Sequence, residues 1–141
     1  MADRVELQTE VDAPRAAVFG LLASAAGLAQ WLDEAELEPR VGGHAAFRLA
    51  HARARGEVLS LQPPQHISFT WEWDDEPLGA TTVVALDAID HGARTHVTLR
   101  HVGLPNQRQL ELHEQMWRHW LKRFEAAAHA LLAEKIETTH P

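Results

Sequence analysis

The sequence predicts an α+β fold: a curved antiparallel sheet of about six to seven strands, two short helices after the first strand, and one long C-terminal helix across the sheet. Three observations carry this reading. Residues 66–73 alternate, with Ile67, Phe69, Trp71 and Trp73 on one face and Ser68, Thr70 and Glu72 on the other, as in a strand with one dry side. Near the C-terminus, Leu110, His113, Trp117, Trp120, Leu121, Phe124, Ala128, Leu131 and Leu132 form one stripe of a 3.6-residue wheel. Between these segments, Gly42-Gly43, Pro63-Pro64 and Asp90-His91-Gly92 are turn signals that reverse the chain.

The elements follow in order. Val5, Leu7, Thr9 and Val11 share one side of a first strand over Arg4 to Val11. Asp12-Ala13-Pro14 opens a helix, with Asp near the cap and Pro in the first turn, and Val18, Phe19, Leu21, Leu22 and Ala25 recur at helical spacing. Leu28 to Leu32 reads as a second short helix. The acidic stretch Asp33, Glu34, Glu36 and Glu38 reads as a solvated loop, and Pro39, which cannot donate to a ladder, suits a sheet edge or a strand start. His44 to Leu49, Gly56 to Leu61, His66 to Trp73, Ala80 to Ile89 and Thr95 to Val102 read as strands, with a turn over residues 74–79. Thr95, Val97, Leu99 and His101 share a face of the last of them. Asn106 and Gln109 resemble a capping box before a helix that runs to about Glu134. At 1.5 Å per residue that helix is about 42 Å long, and a compact chain of this size has a radius of gyration near ~14 Å. Only the sheet is wide enough to cover its stripe.

With 141 residues, the chain is expected to form a single domain over residues 1–141, its core spanning about residues 4–134. The net charge of -7 disfavours binding to nucleic acid phosphates or anionic lipid. The absence of cysteine excludes disulfides, thiolate metal sites and a thiol nucleophile. No apolar run has signal-peptide or membrane-span length, so a cytoplasmic location is expected.

The candidate site lies between sheet and helix. Phe69, Trp71, Leu99, His101, His113, Trp117 and Trp120 are the expected ligand-pocket residues. Core packing is the ordinary role of any one of these aromatics, and several facing one space leave room for a modest cavity. His101 and His113 fall on otherwise apolar faces and would orient a ligand or complete structural hydrogen bonds. No catalytic residue, cofactor or metal is assigned. The histidine pairs 96/101 and 44/51 have opposite strand parity, and His113 and His119 are misaligned on their helix. Ser24, Ser60 and Ser68 lack a nucleophile-elbow context.

Trp31, Pro39-Arg40-Val41-Gly42-Gly43, Gly56-Glu57-Val58, Pro63-Pro64, Phe69-Thr70-Trp71, Gly92 before Thr95, Leu99-Arg100-His101-Val102-Gly103 and Trp120-Leu121-Lys122 stand in an order that resembles the START-like, or SRPBCC, superfamily with its helix-grip fold. Within it the chain is similar to the bacterial family homologous to activators of the heat-shock-protein-90 ATPase. The resemblance implies a curved sheet gripping the long helix around a cavity. Relatives include lipid carriers, hormone-binding proteins, polyketide cyclases and co-chaperones. Three roles follow as expectations: binding of a small hydrophobic or aromatic molecule, interaction with a chaperone partner, or cofactor-free cyclisation or hydrolysis with His101 or His113 as proton carrier. Dimerisation through a sheet edge or helix flank is compatible with the pattern. The family's valine at position 58 argues that Glu57 faces outward, whereas inward-facing Leu59 and Leu61 would bring it in, so its facing stays open.

Overall fold

The structure, a computed structural model, describes residues 4–75, 78 and 81–138, with side chains described up to residue 131. The order is β1 (Arg4–Val11), α1 (Arg15–Leu22), α2 (Ala25–Leu28), β2 (Glu34–Leu37), β3 (His44–Leu49), β4 (Ala52–Gln62), β5 (His66–Trp73), β6 (Thr82–His91), β7 (Arg94–Val102) and α3 (Gln107–Thr138). Seven strands form one antiparallel sheet in the order β1-β7-β6-β5-β4-β3-β2. This is the helix-grip arrangement.

Burial follows the two periodicities. Ile67, Phe69 and Trp71 of β5, and Thr95, Val97, Leu99 and His101 of β7, are buried. From α3, His113, Trp117, Trp120, Leu121, Phe124 and Ala128 meet them. Trp71 and Trp117 stand edge to face with centroids 5.1 Å apart, so sheet and helix touch through aromatic rings. Phe124 meets Trp31 in the same manner at 5.4 Å. The Thr9 hydroxyl donates to Glu125 Oε1 at 2.7 Å and ties β1 to the helix flank. Asn106 Oδ1 accepts from the Gln109 N–H at 3.0 Å, the expected N-terminal cap of α3.

Five local expectations are corrected. The acidic stretch is an edge strand, β2, whose Glu34 stands opposite Arg48 of β3. Its glutamates face water, where Arg48 and Arg53 reach Glu34 at 3.3 and 3.4 Å, so charge did not prevent pairing. Pro39 follows that strand instead of opening one. The second helix begins at Ala25, because the Ser24 hydroxyl caps it by accepting from the Gly27 N–H at 2.9 Å. Leu28 ends it, and Trp31 lies in the turn beyond, donating its indole N–H to the Leu21 carbonyl at 2.8 Å. The fourth strand starts at Ala52, not Gly56, since β3 and β4 join through a tight turn with Ala50 at a positive φ of 58°. Finally, α3 extends past Glu134 to Thr138. The expected Leu132 contact, and Glu76, Pro77, Gly79 and Ala80 of the expected turn and strand start, lie outside the described residues.

The β4–β5 ladder holds two features that matter later. Val58 is buried and Glu57 is exposed, so Glu57 does not face the interior. Between Val58 and Ser60 the register shifts by one residue: Val58 pairs with Phe69, yet Ser60 pairs with Ser68. Gly56 lies hard against β5, where a Cβ would stand 1.8 Å from the Thr70 carbonyl oxygen. That atom is backbone and cannot swing away. Gly56→Ala is therefore expected to destabilise the fold by about 3 kcal/mol or more, read as a lower urea midpoint, whereas Gly20→Ala, unobstructed and inside α1, should cost nothing because alanine is the better helix former.

Candidate binding site

A run of hydrogen bonds crosses the interior from helix to sheet. The Trp117 indole N–H donates to His101 Nδ1 at 3.0 Å. His101 Nε2 lies 2.8 Å from the Thr82 hydroxyl, which donates to the Trp71 carbonyl at 2.7 Å. Because that hydroxyl proton is committed to the carbonyl, the Thr82 oxygen accepts from His101. Directionality thus fixes His101 as neutral, with its proton on Nε2. One ring away, the Trp73 indole N–H donates to His113 Nε2 at 2.9 Å, and His113 Nδ1 donates to the Gln109 carbonyl at 2.8 Å. His113 is neutral too, with its proton on Nδ1. The two imidazoles meet edge to face at 5.0 Å.

Both histidines titrate low. Burial strips water from His101 and, with the neighbouring His113, pushes its pKa down to about 3. Burial lowers His113 as well, opposed by its bond to the Gln109 carbonyl. All four ring nitrogens have partners. Among the described residues, the only buried side-chain nitrogen or oxygen without a partner is Trp71 Nε1.

Where this ladder reaches the surface, a cleft of about 390 Å³ opens between the start of α3 and the strand ends. Trp73, Leu78, Leu112 and Met116 give it apolar walls, and Gln109 and His113 set polar atoms at its base. Arg53 of the β3–β4 hairpin and Asp75 form a charged rim, with His51 of the same hairpin beside them. Its volume falls in the range of small-molecule sites, and so does its pairing of apolar walls with a few polar groups.

Of the seven expected pocket residues, His113 alone lines this cleft. Trp71, His101 and Trp117 stand behind it, packed on one another. Phe69 and Leu99 lie deeper, with Phe69 tilted against Phe47 at 5.1 Å. Trp120 packs farther along α3, under the Arg123 guanidinium at 4.7 Å from its ring centroid. The large rings fill the space between sheet and helix, and the opening is displaced to its mouth. Leu78, Gln109, Leu112 and Met116 were not foreseen. Leu112 and Met116 are four residues apart and so share a helix face beside the buried stripe, which was the available signal.

Comparison with known proteins agrees with this architecture. The family profile described as "Activator of Hsp90 ATPase homolog 1-like protein" matches residues 12–129. No curated protein matches significantly. Among solved structures, CalU16 from Micromonospora echinospora superposes with a TM-score of 0.74 at 20% identity, over 93% of this chain and 79% of that one. The Aha1 dimer from Colwellia psychrerythraea gives a TM-score of 0.75 at 17% identity, covering 91% of this chain and 96% of its own. PFC0360w, an HSP90 activator from Plasmodium falciparum, gives 0.72 at 20% identity, over 94% and 97% of the two chains. At these identities the likeness is one of fold. The profile match is broader evidence, since it spans six of the seven strands, both short helices and most of α3, and by it the chain belongs to the family of Activator of Hsp90 ATPase homolog 1-like proteins.

Proposed function

We propose that the protein binds a small molecule with a flat apolar body and one hydrogen-bonding group in the cleft between Trp73 and Met116. The observation that carries this reading is the pairing of an open apolar cleft with a fixed polar floor. His113 spends both ring nitrogens on Trp73 and the Gln109 carbonyl, which fixes the floor, and the neighbouring Gln109 side-chain amide is the group that meets a ligand's polar atom there. Trp71, His101 and Trp117 act as the rigid wall behind it, while Phe69, Leu99 and Trp120 support that wall from the core.

The test is a titration of intrinsic tryptophan fluorescence with a panel of aromatic compounds. Trp73 is only partly buried and lines the cleft, so a bound ring beside it should change emission saturably. Leu112→Glu places a charge on a wall residue that is 47% exposed, which spares the fold. It is expected to weaken binding by at least about tenfold through the cost of burying that carboxylate under the ligand. A panel that leaves the emission unchanged overturns the proposal. Stimulation of a chaperone ATPase is the rival reading that the family description favours. It would be supported by stimulation that survives Leu112→Glu and by recovery of the chaperone on the immobilised chain.

A further inference from the structure

On the sheet face turned away from α3, five strands align a row of polar side chains. Ser60 Oγ of β4 lies 2.7 Å from His66 Nε2 of β5. His66 Nδ1 lies 2.8 Å from Asp87 Oδ1 of β6. The other oxygen, Asp87 Oδ2, accepts from Arg100 Nη1 of β7 at 3.0 Å, and Arg100 Nε donates to Glu6 Oε1 of β1 at 2.8 Å. Ser68 Oγ contacts Ser60 Oγ from the opposite side. Register explains the assembly. His66 pairs with Asp87 across β5 and β6, and the one-residue shift in β4 sets Ser60, where Leu59 would otherwise stand, opposite Ser68. None of this is visible in sequence, where Ser60 has no motif around it.

We propose that Ser60, His66 and Asp87 form a nucleophile, base and orienting carboxylate that accept an acyl group from a small ester. Both separations fall within the 2.6–3.2 Å such a set requires. Asp87 accepts the Nδ1–H of His66, which leaves Nε2 as the acceptor for the Ser60 proton. Arg100 holds the carboxylate in that orientation. Ser60, Gln62, Gln65, His66, Asp87 and Ile89 line a depression of about 380 Å³, so an acyl group can reach Oγ from solvent. Gln62 and Gln65 are exposed and line the same depression, and in this scheme their side-chain amides would be the donors for a developing oxyanion.

In the reaction, Ser60 Oγ bonds to the ester carbonyl carbon as its proton passes to His66 Nε2. The tetrahedral adduct then breaks its bond to the leaving oxygen, which takes the proton back from Nε2. This leaves acyl-Ser60 and an alcohol. Water attacks the acyl carbon, again giving its proton to His66, and the carboxylic acid departs with Ser60 restored. A shallow site with few oxyanion donors suits esters of phenols, whose leaving oxygen needs little help.

The test uses the full chain with p-nitrophenyl acetate and with a fluorophosphonate probe. The expected results are a burst of p-nitrophenolate, a single adduct mapped to Ser60, and loss of adduct and of at least about 100-fold in rate in Ser60→Ala. Ser60→Cys puts a unique thiol into a chain without cysteine. Iodoacetamide should alkylate it at least about tenfold faster than the same cysteine in the His66→Gln background. The proposal is overturned by an adduct elsewhere, by a rate that survives Ser60→Ala, or by equal alkylation in the two cysteine variants. A rate lost in His66→Gln but kept in Ser60→Ala would reduce His66 to an exposed imidazole catalyst, and would equally overturn it.

Discussion

Replacing Trp117 by alanine is expected to lower stability by at least about 4 kcal/mol, because two penalties act at one position. The first is a cavity. Trp117 is fully buried against Trp71, and truncating a buried large aromatic costs about 3–5 kcal/mol. The second is an orphaned acceptor. His101 Nδ1 would lose its donor in a place water does not reach, at about 1–3 kcal/mol. A domain of ordinary stability has about 5–15 kcal/mol to lose, so the alanine variant should be close to unfolded at room temperature. Two phenylalanine variants separate the terms. Trp117→Phe removes the donor and part of the ring. Trp71→Phe removes the same part of an indole whose nitrogen has no partner, so it leaves no acceptor orphaned. Urea midpoints should rank Trp71→Phe above Trp117→Phe by about 1 kcal/mol or more after conversion. Equal midpoints would show that the indole bond to His101 contributes nothing.

The aromatic frame was readable because one strand and one helix carry unambiguous periods. Residues 67, 69 and 71 could face only one way, and the helix stripe was too long to be covered by anything but the sheet. What escaped was set by relations between elements. β2 escaped because an edge strand of four residues with its glutamates in water has the composition of a loop. The cleft escaped for a different reason: His51, Leu78 and Met116 come from three separate segments, and no local pattern joins them. His101 and His113 were placed inside correctly by their faces. Their tautomers depend on Thr82, Trp117 and Trp73, whose distances to the rings no spacing encodes. The Ser60 row is the extreme case, since Ser60 joins it only through a one-residue shift within β4.

Acid should unfold the protein earlier than its carboxylates alone would dictate. His101 titrates at about 3 in the folded chain and near 6.5 when unfolded. Its folded pKa is depressed, so below pH 6.5 the unfolded chain binds the extra proton, and stability falls as pH falls. The contribution is fully present above about 6.5 and disappears progressively down to about 3. Each pH unit in that window removes about 1.4 kcal/mol, so His101 alone accounts for about 2 kcal/mol between pH 6.5 and 5. His113, also lowered by burial, acts in the same direction. Geometry agrees with the sign: a proton on His101 Nδ1 would face the Trp117 N–H, and one on His113 Nε2 would face the Trp73 N–H, donor against donor. Glu10, Asp33 and Glu38 are held below their ordinary values by bonds from His91, the Ala50 N–H and the His44 N–H respectively. Their stabilisation is lost only as pH falls through about 4 and below, which separates them from the histidine window. Urea unfolding at pH 7, 6 and 5 should therefore show a falling midpoint above the range in which Glu10, Asp33 and Glu38 lose their contribution, with quenching of tryptophan emission only as the chain opens. A midpoint that is flat from pH 7 to 5 would mean that the imidazoles are not held neutral by the fold, and the directional ladder from Trp117 to Trp71 would fail with it.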